Sequence, residues 1–338
     1  MRDATIYDIA SELEISAATV SRAIANNPRI SLKTKKLVNE KARELGYRPN
    51  KIASNLRSGR GNTIGVILPQ IQRHFFASVI HGMEVVLNAH GYNLVICQSN
   101  EGLNQEKKAI ETLINNRVDG ILISNSKETY GNDHLKLINK SGIPFVQFDR
   151  IVDDLNSSNV VNDNFSGAYE MVSHLIDQGY SRIAHLSGPQ NLKLYRERLD
   201  GYACALEAAH IPFDQSLILE AITIDTAEVV AGGIMQSDNP PDAFFAASDL
   251  SALGALNYLK CKGYNVPQEV GVAGFGNEPL TEMITPSLTT LEQFGVDMGK
   301  STSKLLLNSI EGNKQSVSVS TLIKPKLIIR ESTNRSRT

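Results

Sequence analysis

The sequence predicts an α/β protein: a small three-helix head and a hinge helix, then a two-lobed core of parallel sheets. Three observations carry that expectation. Residues 1–60 hold twelve Lys or Arg against six Asp or Glu, and residues 61–338 hold 22 against 30, so a head of net +6 precedes a body of net −8. Within the head, apolar residues recur at helical spacing behind capping residues. Within the body, short apolar runs alternate with helical patterns, as in parallel sheets covered on both faces. A chain of 338 residues also exceeds one domain of roughly 100 to 200 residues, so two or three compact units are expected.

In the head, Thr5 and Asp8 fit a capping box, and Ile6, Ile9, Ala10 and Leu13 then line one helix face. Ser16 caps a second helix, with Ile15 and Val20 spaced for a hydrophobic staple. Its inward positions are Val20, Ala23 and Ile24, leaving Ala17, Ala18, Ser21 and Arg22 outward. A third helix starts near Ser31, runs through Leu37, Val38, Ala42 and Leu45, and stops at Gly46. Two short helices braced by a third describe a helix-turn-helix, whose second helix enters the DNA major groove. Ala17 and Ala18 are small enough to approach thymine methyls, and Arg22 has the fork geometry for guanine O6 and N7. Hydroxyls on Thr5, Tyr7, Ser16, Ser21, Ser31 and Thr34 suit phosphate contacts. The spacing alone also fits a plain capped three-helix bundle; motif and charge together favour DNA.

Residues 48–61 join a cap at Asn50 to barely two helical turns and a Gly-flanked basic linker. Isolated helices below about 12 residues are marginal in water, so this hinge is expected to order only against DNA and a second copy of itself. Ile52, Ala53 and Leu56 form its apolar edge, and Leu56 is suited to wedge between base pairs in the minor groove.

The runs Thr5-Ile6-Tyr7-Asp8-Ile9-Ala10, Ser16-Ala17-Ala18-Thr19-Val20-Ser21-Arg22-Ala23 and Leu45-Gly46-Tyr47-Arg48-Pro49-Asn50 resemble the lactose-repressor (LacI/GalR) family of bacterial transcription regulators. The resemblance implies a recognition helix in the major groove, a hinge helix in the minor groove, and a homodimer on a near-palindromic operator. It assigns base reading to Ala17, Ala18 and Arg22, intercalation to Leu56, and hinge contacts to Asn55 and Arg57. Thr19, Tyr47, Asn50 and Ala53 complete the expected DNA-facing set.

In the body, runs 64–68, 94–97, 120–123 and 145–148 read as buried strands, and 160–161, 183–186, 243–247 and 270–275 repeat the scheme. Helices are expected from Phe76 to Leu87 and near 165–177, 193–209, 226–236 and 250–262. His90-Gly91-Tyr92, Gln178-Gly179-Tyr180 and Lys262-Gly263-Tyr264 form a weak internal echo that ordinary helix termination explains equally well. Open parallel sheets bind ligands beyond the carboxyl ends of their strands. No histidine pair has metal-ligand spacing there, no Gly-x-Ser-x-Gly elbow or phosphate loop occurs, and 271–276 has its glycines in the wrong order for a dinucleotide fingerprint. An enzyme and a cofactor are therefore not expected.

Gly65-Val66-Ile67-Leu68-Pro69, Arg196 to Tyr202, Ala247 to Gly254, Gly274-Phe275 and Leu288 to Leu291 also resemble the same family, whose core is periplasmic-binding-protein-like. The resemblance places Phe75, Phe76, Asp149, Arg198, Ser248, Asp249, Asn277 and Gln293 in an effector cleft between two lobes. Duller readings stand beside these: Phe75 and Phe76 as core residues, Asp249 as a helix cap, Arg198 on a charged helix face. Gly276 and Asn277 follow Phe275 where the family usually has an Asp that grips ligand hydroxyls. A sugar or sugar derivative remains the expected effector class, with a nucleobase as the alternative.

The expected division is 1–47 for DNA binding, 48–61 for the hinge, and 62–330 for the core. Within the core, one lobe takes about 62–161 plus 292–321 and the other about 162–289 plus 322–330. Residues 331–338 form a polar tail expected to be disordered. No apolar run approaches the roughly 18 residues of a membrane span, the N-terminus lacks a secretory pattern, and Cys97, Cys204 and Cys261 suit reduced thiols. The expectation is a cytoplasmic, homodimeric, effector-responsive regulator. A sugar-modifying enzyme with a DNA-binding head is the rival reading.

Overall fold

The computed structural model describes residues 4–47, 61–312 and 318–335. The chain divides after Gly61 into two compact units. The first contains α1 (Ile6–Glu12), α2 (Ala17–Ile24) and α3 (Leu32–Glu44). Each starts where a side-chain oxygen accepts an otherwise unpaired backbone N–H: Thr5 from Asp8, Ser16 from Thr19, Ser31 from Thr34. A cap of this kind contributes about 1 kcal/mol. At α1 the Asp8 carboxylate returns the bond to the Thr5 N–H at 2.7 Å, completing the capping box. Ile9, Ala10, Val20, Ala23 and Val38 meet in the core, and Ile15 packs against that cluster. The predicted hinge helix, with Asn50, Ala53, Asn55, Leu56 and Arg57, lies outside the described residues.

The second unit is the two-lobed core. In the first lobe, β1 (Thr63–Leu68), β2 (Asn93–Gln98), β3 (Gly120–Ile123), β4 (Phe145–Phe148) and β5 (Ser158–Asn162) are joined by a late strand, β11 (Ser320–Ile323). They form one parallel sheet in the order β11-β5-β4-β3-β1-β2. It is covered by α4 (His74–Ala89), α5 (Leu103–Asn115), α6 (Leu135–Ser141) and α12 (Gly295–Ile310). In the second lobe, β6 (Ile183–Ser187), β7 (Ile218–Glu220), β8 (Ala243–Ala246) and β9 (Gly271–Ala273) form a parallel sheet ordered β7-β6-β8-β9. Its helices are α7 (Asn164–Asp177), α8 (Lys193–Ala208), α9 (Ile224–Met235) and α10 (Asp249–Cys261); short α11 (Leu280–Met283) precedes β10 (Thr290–Glu292). β10 pairs antiparallel with β12 (Lys326–Ile328).

The chain therefore crosses between lobes near 162–164, 292–295 and 323–326, the last a little later than the sequence suggested. Asn162 ties these crossings together: its Nδ2 donates to the Gln293 carbonyl at 2.9 Å and the Ile323 carbonyl at 3.5 Å.

Among the described residues, three helix pairs pack most extensively: α4 with α12, α7 with α8, and α9 with α10. Each depends on a glycine at the crossing. A Cβ on Gly299 would press into the Val79 carbonyl oxygen, one on Gly201 into that of Phe165, and one on Gly254 into that of Ile224, all well inside 3.0 Å. The x-Gly-Tyr echo is a shared helix stop. Gly91, Gly179 and Gly263 have φ of 77°, 91° and 80°, and the following Tyr N–H bonds to the carbonyl five residues back.

Two expectations are corrected. The 94–97 run lies in β2, an edge strand with Val95 and Ile96 exposed, so its apolar character does not signal burial on both faces. The tail is structured at its start: Glu331–Thr333 form a 3-10 turn with Ser332 and Thr333 buried. The Ser332 hydroxyl donates to the Val272 carbonyl at 2.5 Å and accepts from the Thr289 N–H at 2.8 Å. A polar composition misled here because the Ser332 hydroxyl satisfies sheet backbone instead of solvent, and the Thr333 hydroxyl pairs with Thr289 Oγ1 and His174 Nε2.

Candidate functional site

In the head, α2 exposes Ala18 and Arg22, one turn apart on a single face, behind the exposed cap Ser16. Ala17 is half-buried and packs against the three-helix core, so the outward position expected for it is only partly realised. Thr19 and Ser21 are half-buried, and Tyr7 is exposed. The hydroxyls of Thr5, Ser16 and Ser31 serve first as caps; Ser16 lies 2.9 Å from Thr19 Oγ1 and Ser31 2.8 Å from Thr34 Oγ1. A capping hydroxyl keeps its helix N-terminus in register, and that terminus is itself an anion-favouring end. Tyr47 packs on the same core, its N–H bonded to the Ala42 carbonyl at 2.8 Å.

In the core, side chains at the carboxyl ends of the strands converge between the lobes. Asp149 leaves β4 with φ of 57°, a left-handed conformation that turns it off the strand. Burial pushes its carboxyl pKa up, opposed by Arg150 and Arg198. Arg150 pairs with Glu101 at 2.6 Å and lies 3.9 Å from Asp149. From the other lobe comes Arg198, 4% exposed. Its Nε and Nη2 donate to Asn164 Oδ1 at 3.0 and 2.9 Å, its Nη1 to the Ala247 carbonyl at 2.5 Å, and its plane lies 3.5 Å from the Phe275 ring centre. Burial pulls its pKa down to about 10. A guanidinium has five N–H groups; these bonds use three and fix the plane for the rest. Gln293 is buried, its Nε2 3.4 Å from Asn162 Oδ1.

Other expected effector residues are engaged in holding the scaffold. Phe76 is 4% exposed and sits in the core edge-on to Phe148 at 6.5 Å, which leaves Phe75, half-buried, as the available ring. Ser248, not Asp249, caps α10. Asp249 is 1% exposed and clasps two segments, Oδ1 accepting from Thr290 Oγ1 at 2.5 Å and Oδ2 from the Glu278 N–H at 2.7 Å. Asn277 donates to Glu292 at 2.7 Å and accepts from Arg330 at 2.9 Å, which spends its amide within the turn. The missing carboxylate at Gly276 has a physical context: φ is 144°, and a Cβ there would lie 3.2 Å from Asp249 Oδ2. Sequence reasoning missed Glu101, Arg150 and Asn164. A charged pair at the end of an apolar strand, Asp149-Arg150, was the available signal.

Asp249 and His185 give the second lobe opposed responses to acid. His185 is stacked between Phe245 and Tyr202 at 4.8 and 5.3 Å, and burial pulls its pKa down to about 4. The unfolded chain then binds more protons between about pH 6.5 and 4, so this histidine removes about 3 kcal/mol of stability as pH falls through that window. Burial raises Asp249 to about 6, so acidification from there to about pH 4 restores a similar amount. His185→Phe, which keeps the stack, is expected to gain roughly 3 kcal/mol relative to the parent between pH 7 and 4 in denaturant titrations. Parallel pH profiles for the two proteins would exclude a buried neutral imidazole.

Among the described residues no helix is long and apolar enough to cross a membrane, and no cluster of candidate metal ligands occurs.

The comparisons with known proteins agree with both units. Residues 5–50 match the family of bacterial regulatory proteins of the lacI type, and residues 61–331 match the periplasmic binding proteins and sugar-binding domain of that family. The HTH-type transcriptional repressor CytR of Escherichia coli K12 is 34% identical over 98% of this chain and 96% of its own. The ribose operon repressor of Halalkalibacterium halodurans is 31% identical over 97% of each. Among solved structures, the transcriptional regulator CelR–cellobiose complex superposes with a TM-score of 0.74 at 28% identity, covering 97% of this chain and 99% of that one. With a capped helix-turn-helix and a cleft between two parallel sheets both in place, the chain belongs to the LacI family, as a DNA-binding transcription regulator with an effector-binding domain and not as an enzyme.

Proposed function

We propose that the chain is a cytoplasmic, homodimeric repressor whose affinity for a near-palindromic operator is set by a sugar or sugar derivative held between the lobes. The observation that carries the effector reading is the opposition of Asp149 and Arg198 across the cleft. An acceptor carboxylate and a guanidinium fixed in plane by Asn164 and the buried Phe275 ring suit the hydroxyls of a sugar. Cellobiose in the CelR complex and the name of the ribose operon repressor support that class. Effector shifts operator affinity only through its different affinity for the two lobe arrangements, and the coupling is reciprocal.

Ala18 and Arg22, with Ala17 at the edge of their face, read bases; Thr5, Tyr7, Ser16, Thr19, Ser21, Ser31, Thr34 and Tyr47 position the module on phosphates. Arg22→Ala is expected to lose about 1–3 kcal/mol at one operator base and relax discrimination there. Selection of bound sequences from random DNA supplies the operator, and gel-shift titration measures the loss; uniform weakening on every sequence would contradict base reading. A carbohydrate and nucleobase panel, screened for changes in operator affinity, then tests the effector class. A response to nucleobases alone would overturn the sugar reading.

A further inference from the structure

We infer that the mouth of the cleft is a second carbohydrate subsite, so that the effector is a saccharide of two or more rings. The inference rests on the sugar reading of the cleft proposed above. A groove of about 380 Å³ opens there, within the range of about 300–1,000 Å³ typical of small-molecule sites. Both lobes build it: Asn125, Tyr130, Asn132 and Asp153 from the first, Asn191 and Lys193 from the second. The residue types are those a sugar needs, amides for hydroxyls and an aromatic face for the CH side of a ring.

Two features point to a ligand. Asn125 is 1% exposed, and its Nδ2 donates to Gln147 Oε1 at 3.1 Å and the Arg150 carbonyl at 2.9 Å, while its Oδ1 has no partner. A buried acceptor left without a donor is costly, and this one belongs to a residue in the wall of the groove. The bond to Arg150, the neighbour of Asp149, also makes this wall continuous with the deeper cleft. Tyr130, by contrast, is 81% exposed, yet the loop that bears it is anchored. Buried Glu106 accepts from the Ser126 N–H at 2.5 Å and from Thr129 Oγ1 at 2.8 Å, and shares a 2.6 Å hydrogen bond with His134 Nε2. An exposed ring on a fixed platform loses little freedom when a sugar stacks on it.

The groove is spanned by bonds between the lobes: Asn191 Nδ2 to the Lys127 carbonyl at 2.6 Å and Lys193 Nζ to Asp153 Oδ1 at 3.0 Å. The ion pair is solvent-exposed and therefore weak. A saccharide touching both walls favours the arrangement in which they face each other, which gives the outer ring a part in regulation as well as binding.

The test is calorimetric titration of the full chain with ladders of one, two and three rings built from glucose, xylose, mannose and galactose. In one ladder or more, affinity is expected to rise at least tenfold from one ring to two. Tyr130→Ala should abolish that gain while leaving single-ring affinity within twofold, and Tyr130→Phe should keep it. Equal affinity for one and two rings in every ladder, or a gain that survives Tyr130→Ala, overturns the subsite. A single-ring sugar that alone binds and shifts operator affinity sinks the subsite but leaves the sugar-effector reading standing. Silence from every saccharide sinks both.

Discussion

Gly299→Ala is expected to destabilise the core unit by roughly 3 kcal/mol, the upper part of the usual range for overpacking. At its size that corresponds to a fall in Tm of about 6–12 °C. The reason is local. α12 lies so close on α4 that one added methyl group would enter the Val79 carbonyl oxygen, with the Met83 N–H beside it. Backbone cannot rotate away as a side-chain end can, so the helices must separate and the buried contacts of Val79, Met83 and Met298 loosen together. Differential scanning calorimetry of parent and variant decides it. An exposed control such as Gly233→Ala, where a Cβ meets nothing within 4 Å, should leave Tm unchanged or slightly raised, since alanine is the better helix former. A Gly299→Ala protein that melts with the parent would mean the two helices can part without cost.

Deletion of residues 1–61 is expected to abolish operator binding at any salt concentration while the remaining unit keeps its fold and effector affinity. The division after Gly61 separates two units that each have their own buried core. The positively charged one carries the capped helices and the exposed Ala18–Arg22 face, and the remainder carries net charge −8, a poor partner for a polyanion. Gel-shift and calorimetry on the truncated chain read the two properties separately. Operator affinity retained by the truncated chain would place DNA recognition in the core.

The head was legible because its signals are local. A cap, a staple and a Gly stop lie within a few residues of the helix they define, and Thr5, Ser16, Ser31 and Gly46 all act as their spacing implies. Central strands such as β1 and β3 were legible as unbroken apolar runs. Edge strand β2 was misread because Val95 and Ile96 have the composition of a buried strand without its neighbours. Helices α5 and α12 and strands β7 and β11 went unread. β11 in particular is Ser320-Thr321-Leu322-Ile323, and it becomes a strand by pairing with β5, more than 150 residues earlier. The cleft was half legible. Asp149 and Arg198 are both largely buried and close enough to influence each other's charge, but which polar groups face a ligand and which are absorbed by the scaffold is a three-dimensional property. Asp249 and Asn277 went to the scaffold through Thr290, Glu278, Glu292 and Arg330, partners that no short window of sequence contains.

Asn162 has a mechanical consequence. Because one amide is bonded to carbonyls on both neighbouring passages, the three chains running from lobe to lobe are laced at a single level. Bending there is shared among them, and no strand can slip lengthwise past the others without breaking that lacing. The motion this lacing leaves open is a swing of one whole lobe against the other about a common axle, rather than a sliding of either.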